Sequence, residues 1–216
     1  MFFYNILNDF IEIKNFGNNI MTVSFVLTII LSIIQSYGIS KQGKRISKHK
    51  SARAISVFFF AAQSIYSLGY VVYGISKNSL ALIINGLLFI FFFRIVFQIL
   101  ALSFKKHNYF NTENIMTSLL LVLAPLLLLI TNKDIMLLIL FIISTISSVP
   151  QIYSLYKLKD YSDIEPKFLV SILVSSAIWL IYGITINGHA LILSSIPTII
   201  SIIVFLAVYY YRKNYI

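Results

Sequence analysis

The side chains of this chain that can do chemistry are a few polar groups set into long apolar stretches, and they recur at helical spacing. Ser24, Thr28, Ser32 and Ser36 follow one another at every fourth residue. Ser144 and Ser148 repeat that step with Gln151 just beyond, and Ser171, Ser175 and Trp179 repeat it with Tyr182 three residues on. Gln63, Tyr66, Tyr70 and Tyr73 form a further stripe, and Ser194, Thr198 and Ser201 another. Residues three or four apart share one face of a helix. Such faces are costly in lipid unless they meet a cavity or a partner helix. Two readings fit them: a hydroxyl-lined, aromatic-walled cavity, or close packing of helices through small residues. Trp179, the single tryptophan, lies too deep in its stretch for an interfacial anchor.

Charged chemistry is nearly missing from these stretches. The seven acids (Asp9, Glu12, Glu113, Asp134, Asp160, Asp163, Glu165) fall outside them or at their edges, and His49, His107 and His189 sit in loops. No carboxylate or imidazole is therefore placed to relay a proton within the membrane. Arg94 is the one charge well inside a stretch. Its separation from Asn85 puts the two on opposite sides of a helix, so a snorkelling or carbonyl-bonded arginine is expected. Cysteine is absent, which removes thiol catalysis, disulfides and thiolate metal sites. No zinc-binding HExxH, nucleophile elbow or phosphate loop occurs, so neither an enzyme nor a cofactor or metal is expected.

The elements that must position these groups follow from composition. Of 216 residues, 59% are hydrophobic and 11% charged, whereas a soluble domain is about 25% charged. Mean hydropathy is +0.89, the composition of an all-α, multi-span membrane protein. Seven stretches reach the roughly 20 residues a transmembrane helix needs: about 19–39, 54–75, 79–104, 115–131, 135–156, 167–186 and 190–211. The longest connection, 40–53, is strongly basic. Residues 1–18 have Lys14 as their only basic residue beside Asp9 and Glu12, which argues for a short interfacial segment and against a signal peptide. Thirteen Lys and Arg follow the odd-numbered stretches, and three (Lys14, Lys77, Lys133) lie on the other side. That asymmetry predicts an outside N-terminus and a cytoplasmic tail at 212–216. It also accounts for most of the net charge of +10 without a nucleic-acid partner. The 41–53 run is a topology signal or a contact for anionic lipid.

Two parts of the chain read alike. Ser32-Ile-Ile-Gln35 answers Ser148-Val-Pro-Gln151, each with a tyrosine two residues on (Tyr37, Tyr153). Tyr70-Val-Val-Tyr73-Gly74-Ile75 answers Trp179-Leu-Ile-Tyr182-Gly183-Ile184, and Ala-Leu-Ile recurs at 81–83 and 190–192. Asn85 then faces Ser194, or Ser195 if one gap is allowed. The stretch at 115–131 has no counterpart. Two triplets, 19–104 and 135–211, joined by one linker helix give a 3+1+3 arrangement of parallel three-helix bundles, for which SWEET proteins are an example.

Pro150-Gln151 at a helix end, Trp179-x-x-Tyr182-Gly183 and a small polar residue after it, in duplicate order, resemble the SWEET, SemiSWEET and PQ-loop superfamily. The resemblance implies a transporter that moves small polar solutes, most often mono- or disaccharides, by alternating access without ATP. It places pocket roles on Asn85 and Trp179, with Tyr70 and Ser194 or Ser195 as their repeat partners and Ser175 on the same stripe. Hydroxyls and amides suit sugar OH groups, and aromatic faces suit the ring. Hinge or gating roles fall on Pro150 and Gln151, on Gln35 by repeat, and on Pro166, which also reads as a plain helix-start proline. Ile34 and Ile55 stand where the second repeat has Pro150 and Pro166. Without an intramembrane carboxylate, uniport is expected. The alternatives are an amino-acid or metabolite exporter of PQ-loop type and a non-transporting receptor on the same fold. The expected partners are a small-molecule solute and the bilayer, with a homo-oligomer left open.

Overall fold

A computed structural model describes residues 19–50, 55–105, 111–157, 164–185 and 188–215. The 1–18 segment, His107, Asp160 and Asp163 lie outside the described residues. Among the described residues all regular structure is helical: α1 (Ile20–His49), α2 (Val57–Ser76), α3 (Leu80–Gly86), α4 (Phe89–Lys105), α5 (Thr112–Leu128), α6 (Lys133–Lys157), α7 (Pro166–Thr185) and α8 (His189–Tyr215). Six spans are long and apolar enough to cross a membrane, counting α3 and α4 together.

Helix starts are set by short polar side chains that accept from an otherwise orphaned backbone N–H. Asn19 accepts from Thr22, Ser56 from Phe59, Ser79 from Leu82 and Asn111 from Asn114. The ends differ from the sequence expectation at three places. Helix α1 has 30 residues, about 45 Å at 1.5 Å per residue, against a hydrocarbon core of about 30 Å. Most of the basic stretch expected as a connection is therefore helix. Gln, Lys and Arg are good helix formers, so the fall in hydropathy marks the membrane exit and not the helix end. The 212–216 tail is likewise helical through Tyr215. Helix α5 has 17 residues, about 26 Å, the length of the expected stretch at 115–131 but displaced three residues towards the N-terminus. It stops after Leu128, where Lys133 Nζ donates to the carbonyls of Leu128 (3.1 Å) and Ile130 (2.8 Å).

A fourth difference, inside a span, touches the site. The expected single helix at 79–104 is broken between α3 and α4, where Leu88 N bonds Asn85 O (3.1 Å) and Phe91 N bonds Leu88 O (3.0 Å). These i→i+3 bonds tighten the chain directly after Asn85. Gly86 is required there: a Cβ would come within 2.6 Å of the Val71 amide nitrogen on α2.

Helix packing positions everything else. Helix α1 lies on α7, and α2 on α6. Segments α3 and α4 touch both α1 and α2, while α8 touches both α6 and α7. Helix α5 rests mainly on α2. Two buried clusters result. One gathers Phe59, Phe60, Phe92, Phe168 and Phe205, and the other gathers Tyr70, Tyr73, Leu137, Trp179 and Tyr182. Large apolar side chains such as Val122, Leu126, Ile33 and Phe97 stay exposed on the perimeter, as a lipid-facing surface requires. Arg94 is exposed as well, on the perimeter and away from the core.

Candidate functional site

Between the two clusters lies a cavity lined by Gln35, Gln63, Tyr66, Ser67, Tyr70, Asn85, Leu88, Phe92, Ile172, Ser175, Ser176, Trp179, Ser194, Ser195 and Thr198. It offers about 60 Å³ to the centre of a water-sized sphere, room for about five waters. No lining residue is charged. Helices α1, α2, α7 and α8 and segments α3 and α4 all contribute.

The lining is paired. Gln63 and Ile172, Tyr66 and Ser175, Ser67 and Ser176, Tyr70 and Trp179, and Asn85 and Ser194 each stand 109 positions apart. One ungapped shift therefore relates these positions, and it pairs Asn85 with Ser194. The same shift pairs Leu88, at the break after α3, with Pro197 inside α8. The first of these third spans breaks just past its pocket residue, and the second carries a proline there within a helix that runs on.

Each expected pocket residue lines the cavity, with distinct chemistry. Trp179 is 5% exposed, stacks on Tyr70 (centroids 5.8 Å, 30°) and meets Tyr182 edge-on (5.5 Å). Its Nε1 is buried with no hydrogen-bond partner among the described residues. Buried donors are nearly always paired, so the indole N–H is an unmet hydrogen bond, out of reach of a water in this conformation. Tyr66 and Tyr70 share a hydroxyl pair at 2.8 Å. Asn85 meets Ser32 Oγ at 3.2 Å. Ser175 Oγ donates to Gln35 Oε1 (3.2 Å), and Gln63 Nε2 donates to Ser144 Oγ (2.8 Å). Ser194 and Ser195 both donate to Leu191 O, and the Ser194 hydroxyl also lies within hydrogen-bond reach of the Tyr66 and Tyr70 hydroxyls.

The polar stripes divide. Ser24 and Thr28 return their hydroxyls to carbonyls of their own helix, and Ser148 meets Ser201 across α6 and α8 (2.9 Å). These are packing contacts. The cavity takes the middle of the stripes on α2, α7 and α8. Ser67 and Ser176 were not singled out from the sequence, because each sits one residue off its stripe; the 109-residue shift is the signal that finds them.

The gating assignments need one correction. Gln151 Oε1 accepts from Ser56 N (2.7 Å), the residue that caps α2. Its mirror is Gln42 Oε1, which accepts from Glu165 N (2.8 Å) just before α7. Gln42 and Gln151 are 109 apart, as are Ser56 and Glu165. Gln35, expected as the counterpart of Gln151, is instead a cavity residue. It follows that Lys41 stands at the place of Pro150 and Val57 at that of Pro166, in place of Ile34 and Ile55. Pro150 is interior to α6, where it removes a helix hydrogen bond. Pro166 is the first residue of α7, a position where proline costs a helix nothing.

Further contacts reinforce this basic end. Arg45 Nη1 lies 3.1 Å from Glu165 Oε2. The Glu113 carboxylate, at the start of α5, accepts from the Ser56 hydroxyl and the Val57 amide, while partial burial holds its carboxyl above the usual range. Phe60 stacks on Phe168 (5.8 Å, 22°). At the opposite end Tyr73 Oη donates to Asp134 (2.7 Å), and Lys77 lies 3.3 Å from the same carboxylate. Among the described residues no three acids or histidines gather as a metal site.

A comparison with curated proteins finds no match to the chain. A comparison with protein families finds one that takes in α6, α7 and Pro150-Gln151: residues 134–188 match the PQ loop repeat, so this is a multi-pass membrane protein that carries a PQ-loop repeat.

Proposed function

We propose that the protein is a transporter that carries a small uncharged polar solute, a monosaccharide first, across the bilayer by alternating access as a uniporter. Two parallel triplets, α1 to α4 and α6 to α8, form its halves, and α5 joins them in a 3+1+3 plan. The basic ends lie in the cytoplasm and the N-terminus outside. The observation that carries the reading is the uncharged cavity between the halves, walled by Trp179 and Tyr70 and lined by amide and hydroxyl side chains. A zwitterionic amino acid would leave both its charges without a partner there, whereas hydroxyls match amides and serines. Room for about five waters suits one sugar ring better than two. The five lining pairs and the mirrored glutamine bonds support two halves that move against each other.

The test is counterflow in proteoliposomes with labelled pentoses, hexoses, disaccharides and amino acids. Monosaccharide exchange is expected, lost in Trp179→Ala and Asn85→Ala proteins that remain folded and inserted. Exchange of amino acids alone, or wild-type rates in both variants, would refute the assignment.

A further inference from the structure

The basic run at the end of α1 is not absorbed by the transport reading, and the structure sets it against a second helix. A 20-residue span counted from Thr22 ends at Lys41, so the Lys41 ammonium lies at headgroup depth. Its Nζ sits 4.6 Å from the centre of the Tyr37 ring, and Tyr37 is 61% exposed. The charges of Lys41, Lys167 and Lys44 all act on the Tyr37 hydroxyl, which brings α1 and the first turn of α7 together in one cationic patch. Among the described acids, Glu165 is the one whose charge acts on Lys41, and Arg45 already holds it at 3.1 Å. None of the three ammonium groups forms an ion pair among the described residues. Towards the membrane interior the same faces turn apolar and stay exposed: Ile34 on α1, Val170 and Val174 on α7. Helices α1 and α7 run close here, since a Cβ on Gly38 would meet Ser171 Oγ at 2.9 Å.

From this we infer that the α1–α7 groove at the basic end is a binding site for an anionic phospholipid, with the phosphate among Lys41, Lys44 and Lys167 and an acyl chain along Ile34, Val170 and Val174. Cationic side chains just beyond a span attract anionic headgroups, and an apolar track beside them separates a lipid from a free phosphate.

The experiment uses the purified, delipidated full chain in neutral detergent, with binding measured for dioleoylphosphatidylglycerol, dioleoylphosphatidylcholine and glycerol phosphate. Phosphatidylglycerol is expected to bind roughly tenfold more tightly than phosphatidylcholine and to raise the unfolding temperature, while glycerol phosphate binds far more weakly. The triple variant Lys41→Gln, Lys44→Gln, Lys167→Gln should lose the preference, and the corresponding triple arginine variant and Lys133→Gln should keep it. Equal binding of the two lipids, or a preference that survives the glutamine variant, overturns the site. Glycerol phosphate binding as tightly as the lipid overturns the lipid assignment in favour of a soluble phosphate.

Discussion

At the scale of single residues, Trp179 brings two features to the cavity wall: an aromatic face, already stacked on Tyr70, and an N–H buried without a partner, which the proposed transport cycle would expose to the solute. They can be separated. Trp179→Phe keeps most of the face and removes the donor. A neutral hydrogen bond contributes about 1 kcal/mol net, so the apparent affinity for solute should fall roughly fivefold while exchange at saturation persists. Trp179→Ala removes both and should abolish transport. Rates in Trp179→Phe equal to wild type would show that the N–H serves no solute. Much of this was legible in the residues. A lone tryptophan deep within a span, preceded by serines at four-residue steps, marks a polar wall. The state of its N–H was not legible, because it depends on what three other helices fail to offer.

Among elements, the mirrored glutamine bonds fasten the first turn of each second helix to the first helix of the other half: Gln42 to the start of α7 and Gln151 to the start of α2. A buried backbone N–H that loses its acceptor costs about 1–3 kcal/mol. Gln42→Ala or Gln151→Ala should therefore shift the protein away from closure at the basic end by about tenfold or more. The natural chain contains no cysteine, so a single Ser176→Cys in the cavity wall reports access cleanly. In inside-out vesicles its modification by a membrane-impermeant thiol reagent should speed up when either glutamine is replaced. An unchanged rate would deny these bonds a gating role. The spans themselves were plain from hydropathy, but this register was not. Ser-x-x-Gln at 32–35 offered a tempting match to 148–151, seven residues out of step. Only the bonding of Gln42 and Gln151 to equivalent backbone groups distinguishes the two registers. The break after Asn85 was also hidden, since Gly86 is its one local mark and α2 enforces the rest.

For the molecule as a whole, the described acids are committed at its two ends. Glu113 bonds Ser56 and Val57, Glu165 pairs with Arg45, and Asp134 is held by Tyr73 and Lys77. None lines the cavity. Solute uptake should accordingly be insensitive to protonophores and to an imposed pH gradient; collapse of uptake on either treatment would contradict uniport. The basic end and its opposite are both laced across the proposed halves, by Arg45–Glu165 on one side and Tyr73–Asp134–Lys77 on the other, and in the proposed transport cycle each lacing would have to release in turn.

The two halves share a plan but not a stiffness. Helix α1 runs unbroken from Ile20 to His49 with Lys41 donating its backbone N–H, while α6 carries Pro150 at the equivalent place and cannot. One copy is thereby a mast and the other a sail. In the proposed transport cycle, bending would therefore concentrate at Pro150 in the second copy, and Pro150→Ala should slow exchange more than any substitution at Lys41.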